Sequence, residues 1–183
     1  MTRRPTRSAD QHVDALVATI YNAASMVVAP KRKDEQPDAL APVLYVEDNA
    51  INSKVVRYGL RGRYDVVVAA TAREACDLVR ARRDDFIAVL MDIELQGSEL
   101  DGIDLTRLFR GNLDGDTLPD YAAGVRTIEV PIIIVTAYVE RYTDEYLLEA
   151  GANACMRKPL DLSGLRDLLL SIEASVDPVD HAN

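Results

Sequence analysis

Five short apolar runs, each followed by a segment of helical character, constrain this chain more than any other feature. The runs are Val43 to Val46, Val66 to Ala69, Ile87 to Met91, Ile132 to Val135 and Ala154 to Arg157. The middle run is apolar at every residue and too short for a helix, so it reads as a strand buried on both faces of a parallel sheet. Between the runs lie predicted helices over Ala50–Leu60, from a Thr71 cap to about Arg82, Gly102 to about Arg110, Glu140–Ala150 and Leu162 to about Ala174. Their ends are punctuated by residues that cap or stop helices: Asp48 and Asn49 before the first, Gly59 or Gly62 near its end, and Gly151 after the fourth. Ala72, Ala75, Cys76, Leu78 and Val79 form the inner face of the second helix, and Leu165, Leu168, Leu169 and Ile172 a stripe on the last. Five strand-helix units in succession imply an α/β fold, a doubly wound parallel sheet with helices on both faces.

Composition narrows the function classes. An apolar share of 48% in 183 residues supports a proper core. No apolar run approaches the roughly 20 residues of a membrane helix. The N-terminus carries Arg3, Arg4 and Arg7 but lacks a signal-type apolar core, so a cytoplasmic protein without membrane insertion is expected. Cys76 and Cys155 have no metal-type spacing and read as small buried apolar residues. The net charge of -9 argues against nucleic acid as a main partner and favours cations and proteins.

The chain divides into residues 1–42, an N-terminal helix and linker; 43–176, the main domain; and 177–183, a frayed tail. Residues 1–42 carry six Lys and Arg against five Asp and Glu, so the acidity belongs to the main domain. From Asp10 to Ala29, the residues Val13, Leu16, Val17, Ile20, Ala23 and Val27 recur at helical spacing. Two heptads are too few for a coiled coil; such a helix lies on its own domain, pairs two chains or docks on a partner. Pro30 to Pro37 is a polar linker. Gly111 to Glu129, rich in Gly and Asp, is expected as a loop, either a tolerated surface insertion or a partner contact.

The chemistry-bearing residues fall at strand ends. Glu47 and Asp48 follow strand one, Asp92 strand three, Thr136 strand four and Lys158 strand five, which puts all five at the carboxyl edge of the sheet, where open α/β sheets bind ligands. Three carboxylates converging there repel one another, and a hard cation with oxygen ligands, Mg²⁺ being the abundant choice, would hold them together. Asp92 is then the candidate reactive group. Lys158 would offset charge on it and on a phosphoryl group, while the Thr136 hydroxyl donates to a phosphoryl oxygen. Singly, an acidic pair is commonly an exposed turn and Lys-Pro commonly ends a strand; the combination in this order argues for one site.

In Val46-Glu47-Asp48-Asn49-Ala50-Ile51-Asn52, Leu90-Met91-Asp92-Ile93-Glu94 with Asp101-Gly102, Ile133-Ile134-Val135-Thr136-Ala137 and Lys158-Pro159, the chain resembles the receiver domains of two-component response regulators. The form Glu-Asp-Asn with a second Asn at Asn52 is similar to receivers of hybrid histidine kinases. The resemblance implies a flavodoxin-like five-stranded sheet of order 2-1-3-4-5, here with an extra N-terminal helix. It also implies a phosphorelay function in which Asp92 takes a phosphoryl group from a histidine kinase or histidine phosphotransfer protein. Glu47, Asp48, Asp92 and the backbone carbonyl of Glu94 would bind Mg²⁺, and Thr136 and Lys158 would respond to the phosphoryl group. Glu94 and Tyr138 would tune its lifetime.

The family usually carries an aromatic switch residue three places before the lysine; here Cys155 stands there, and Tyr138, Tyr142 or Tyr146 is left as a substitute. The loop between Asp92 and Asp101 is two residues longer than usual, and Gly111–Glu129 lengthens the span to Thr136. With no output domain recognisable in the sequence, output is expected through a downstream protein target. A homodimer through helix 10–29, or through the face of helix four, strand five and helix five, is a further expectation. Such a receiver catalyses only its own phosphorylation and dephosphorylation. The alternatives are a relay shuttle, a phosphate sink, a scaffold without phosphorylation, or an aspartyl-phosphate-forming phosphatase of the haloacid dehalogenase type. That last family places its nucleophile on the first strand, where this chain has Glu47 and Asp48.

Overall fold

A computed structural model describes residues 40–113, 118–137 and 141–176. Predicted helix 10–29, the linker, Tyr138 and the tail 177–183 lie outside the described residues. Five strands, β1 (Ala41–Val46), β2 (Tyr64–Ala69), β3 (Ala88–Asp92), β4 (Ile132–Thr136) and β5 (Ala154–Arg157), alternate with α1 (Ala50–Leu60), α2 (Ala72–Arg82), α3 (Gly102–Arg110), α4 (Asp144–Glu149) and α5 (Leu162–Val176). All strand pairs are parallel and the order is β2-β1-β3-β4-β5, the flavodoxin-like arrangement expected from the sequence.

The core has two layers, one on each face of the sheet, because side chains alternate along each strand. Leu44, Val46, Val89, Met91, Ile132 and Ile134 pack with α2, α3 and α4. Val43, Tyr45, Leu90, Ile133 and Val135 pack with α1 and α5. Every residue of β3 is buried, as its unbroken apolar run requires.

The caps fix where helices start. Asn49 Oδ1 accepts from the N–H groups of Ile51 and Asn52, and Asp101 Oδ1 from those of Ile103 and Asp104. Thr71 Oγ1 accepts from Glu74 N–H while Glu74 reaches back to the N–H of Ala70.

Three expectations are corrected. β1 and β2 each begin two residues earlier than expected, because Ala41 pairs with Tyr64 and Pro42 with Asp65. α4 starts at Asp144, not Glu140, since the Thr143 hydroxyl accepts from Tyr146 N–H and sets the first turn there. The stretch after α3 is not a bare surface loop. It includes a 3₁₀ turn at Asp120–Ala122, and Tyr121, Ala122, Ile128 and Val130 are buried in the α2–α3 layer. Arg110 holds this stretch down: Nε donates to the Gly151 carbonyl, Nη1 to that of Ile128, and Nη2 to that of Val130 and to Asn153 Oδ1.

Candidate phosphoryl-acceptor and cation site

Each site residue arrives where its strand stops. Glu47 follows β1, and its N–H still donates to the Ala69 carbonyl at 2.9 Å, which keeps it in line with the sheet before the chain turns into α1. Asp92 and Thr136 are the last residues of β3 and β4. Lys158 follows β5, and its N–H donates to the Thr136 carbonyl at 2.8 Å. The Lys158–Pro159 peptide is cis.

Lys158 reaches across the crevice. Its Nζ donates to Glu47 Oε2 at 2.6 Å and to Asp92 Oδ2 at 2.7 Å, so a single ammonium bridges acids from two strands. Glu47, Asp48 and Asp92 each present a carboxylate oxygen, and these oxygens lie within 4.8 Å of one another. The structure thus brings Glu47, Asp48, Asp92 and Lys158 together, with Thr136 buried at the end of the adjoining strand.

The two bridged acids differ. Glu47 is 1% exposed, and burial opposes its charge. Hydrogen bonds from Lys158, Tyr45 and Asn52 outweigh that cost and hold its carboxyl below the usual range. Tyr45 Oη donates to Oε2 at 2.6 Å, and Asn52 Nδ2 to Oε1 at 2.9 Å. Asp92 has fewer donors: burial pushes it up to about 6, and Lys158 and the Ile93 N–H offset only part of that rise, to which the charge of Glu47 adds. For Lys158, burial opposes the charge, but hydrogen bonds to both acids raise its pKa. Glu47 and Asp92 share one ammonium with Asp48 close by, and all the candidate ligand atoms are oxygens. Such a set fits a hard divalent cation, which would offset the cost of burying these acids and the repulsion among them.

Several supporting residues escaped sequence reasoning. A Cβ built on Gly102 would stand 1.9 Å from the Asp92 carbonyl oxygen, so only glycine lets the start of α3 press on the end of β3. Its N–H donates to the Ile93 carbonyl at 2.9 Å. The signal was Asp101-Gly102 ahead of a helix, legible as a cap but not as a brace. Tyr45 lies two residues before Glu47 and so shares its face, a relation that strand alternation could have revealed. Gln96 N–H donates to Asp48 Oδ2 at 3.2 Å.

The expected tuning residues are less concentrated. The Glu94 side chain is exposed and pairs with Arg141 at 3.5 Å. Cys155 packs against the α2–α4 layer, and burial, with the Asp144 charge adding, pushes its thiol up to about 11. Tyr142 and Tyr146 stack with ring centroids 5.8 Å apart, and Arg107 donates to Tyr146 Oη at 2.9 Å.

Comparison with known proteins agrees with this geometry. The family model for the response regulator receiver domain matches residues 43–170. The polar-differentiation response regulator DivK of Brucella anthropi is 31% identical over 121 residues, covering 66% of this chain and 85% of DivK. The osmosensing histidine protein kinase SLN1 of Saccharomyces cerevisiae is 24% identical over 84% of this chain, which spans only 12% of that protein. Among solved structures, the receiver domain of sensor histidine kinase PA1611 from Pseudomonas aeruginosa is 31% identical with a TM-score of 0.55. That match covers 74% of this chain and 99% of the other, whose structure holds a magnesium ion in the active-site cleft.

Proposed function

The chain belongs to the response regulator receiver domain family, phospho-accepting modules of two-component signalling, and from that premise we propose that Asp92 is its phosphoryl acceptor. The observation that carries this reading is the Lys158 ammonium held 2.6 Å from Glu47 and 2.7 Å from Asp92 at the carboxyl edge of the sheet. An oxygen of Asp92 attacks the phosphorus of a phosphohistidine; the P–N bond breaks, its electron pair returns to the imidazole, and an acyl phosphate forms. Phosphoryl transfer needs in-line placement and charge neutralisation more than covalent help, so a rigid crevice suffices. As charge moves from the carboxylate to the phosphoryl oxygens, Lys158 follows it and the Thr136 hydroxyl donates to one of them. Glu47, Asp48 and Asp92, with the Glu94 carbonyl, would hold Mg²⁺, which when bound supplies positive charge against the crowded acids and the phosphoryl group. The magnesium in the cleft of the PA1611 receiver supports that choice of ion.

The receiver unit is residues 43–176, and it catalyses its own phosphorylation and the loss of the group to water. Its donor is a histidine kinase or phosphotransfer protein, and its output is contact with a protein target, the face of α4, β5 and α5 serving as the responsive surface. A cytoplasmic location accords with the described residues, among which no helix is long and apolar enough to cross a membrane. The likeness to two proteins named as histidine kinases also favours a place in a relay, which back-transfer to a phosphotransfer protein would reveal.

Acetyl phosphate with Mg²⁺ should add one phosphoryl group, read as intact mass, and Asp92→Asn should abolish the gain. Unchanged labelling of that variant would refute the assignment.

A further inference from the structure

Tyr45 belongs to the core and to the crevice at once. It pairs with Val68 of β2 and Leu90 of β3 inside the sheet, and its side chain is fully buried in the layer that packs on α1 and α5. Phenylalanine would fill that layer as well. The difference is the phenolic oxygen, which donates to Glu47 Oε2 at 2.6 Å. A buried tyrosine hydroxyl needs a partner, and this one has taken a member of the crevice.

The same carboxylate oxygen accepts from Lys158 Nζ at 2.6 Å, and that ammonium also donates to Asp92 Oδ2 at 2.7 Å. The other oxygen of Glu47, Oε1, is held separately, by Asn52 Nδ2 at 2.9 Å and by the Asn49 N–H at 3.2 Å. Oε2 thus has two donors among the described residues, and they differ in what they can do. The phenol is fixed by a ring packed in the core and brings no charge, whereas the ammonium is a point charge on a flexible stem. During transfer, charge leaves Asp92 for the phosphoryl oxygens and Lys158 follows it, which weakens its bond to Glu47. Glu47 is almost wholly buried, so an acceptor left without a donor there is costly. Tyr45 is the donor that stays.

We propose that Tyr45 is a positioning residue for phosphoryl transfer: by holding Glu47 Oε2, it lets the Lys158 ammonium move off that acid towards the charge developing at the phosphoryl group. This rests on Asp92 as the acceptor. Without the phenol, Oε2 has Lys158 alone, and the ammonium is held back on Glu47.

Uptake from acetyl phosphate, followed as intact mass on the full chain up to saturating Mg²⁺, tests this. Tyr45→Phe removes one oxygen and keeps the ring. Its maximal rate per folded molecule should fall about tenfold, the loss expected for one hydrogen bond to a charged group, with the half-saturating acetyl phosphate concentration unchanged. In a Lys158→Ala background the same substitution should alter the rate less than about twofold, because there is no ammonium to release. Asp92→Asn, measured alongside, separates the two failures: labelling of that variant overturns the acceptor assignment and this proposal with it. With Asp92→Asn unlabelled, the role of Tyr45 alone is overturned by a Tyr45→Phe rate within about twofold of the unaltered chain, by a loss that vanishes at saturating Mg²⁺, or by an equal loss with and without Lys158, the mark of a merely structural hydroxyl.

Discussion

Lys158 and Arg110, both partly buried, are surrounded in opposite ways. Lys158, at the carboxyl edge of the sheet, faces two carboxylates directly and a third close by, more negative charge than one ammonium neutralises. Arg110, at the end of α3, donates only to neutral oxygens, three backbone carbonyls and one amide, and burial lowers its pKa. The neutral shell is complete in itself: it closes the stretch 118–130 over the α2–α3 layer and asks for nothing further. The acid-rich shell sets three acids against one cation, an excess that the proposed divalent cation would offset and that suits the chemistry proposed at the less supported acid, Asp92. Buried charge serves structure where its partners are satisfied, and serves function where they are left in excess.

The sharpest way to break this contrast is to remove each cation in turn. Lys158→Ala should slow phosphoryl uptake about 10²–10³-fold, the loss typical of a group that stabilises developing charge. Arg110→Ala should leave uptake per folded molecule intact but cost about 2–4 kcal/mol of stability, because several buried carbonyls lose their donor. If the two phenotypes were exchanged in rates and urea melts, the contrast would fail. A smaller effect comes from the ion. Mg²⁺ at about 100 times its dissociation constant should stabilise the chain by about 2.7 kcal/mol, and Arg110→Ala should retain that increment while Asp48→Asn loses about half of it or more. Thermal melts with and without Mg²⁺ decide.

Gly102→Ala lies between the two classes. Its Cβ would collide with the carbonyl of Asp92, so about 1–3 kcal/mol of stability should be lost and uptake slowed together; an unaffected uptake rate would show that α3 does not brace the acceptor. The smallest effect asks how far the positive charge of the site extends. With its thiol pushed up to about 11, Cys155 should alkylate slowly near neutrality, about tenfold faster per pH unit towards that value. Rapid modification at neutral pH would mean that the cations reach it.

Much of this was legible in the sequence, for identifiable reasons. The starts of α1, α2 and α3 are set by Asn49, Thr71 and Asp101, side chains whose capping chemistry is local, and the expected starts coincide with the observed ones. The unbroken run into Asp92 marked the central strand, and once the strands were parallel the five site residues had to share an edge. The features that eluded sequence reasoning depend on distant partners. The first residues of β1 and β2 are strand only because they pair with each other. Tyr121, Ala122, Ile128 and Val130 follow no period, so their burial depends on a surface built elsewhere. Arg110 looks in sequence like an ordinary basic residue at a helix end, and only folding supplies its four acceptors. The segment 10–29 and Tyr138 lie outside the described residues.

On the proposed reading, one divalent cation balances the acid that Lys158 leaves in excess in the crevice. Calorimetric titration of Mg²⁺ into the unphosphorylated full chain tests this most directly. One site per chain is expected, weakened at least about tenfold in Asp48→Asn, as loss of a charged oxygen ligand implies. No binding, or binding unchanged in that variant, would contradict it.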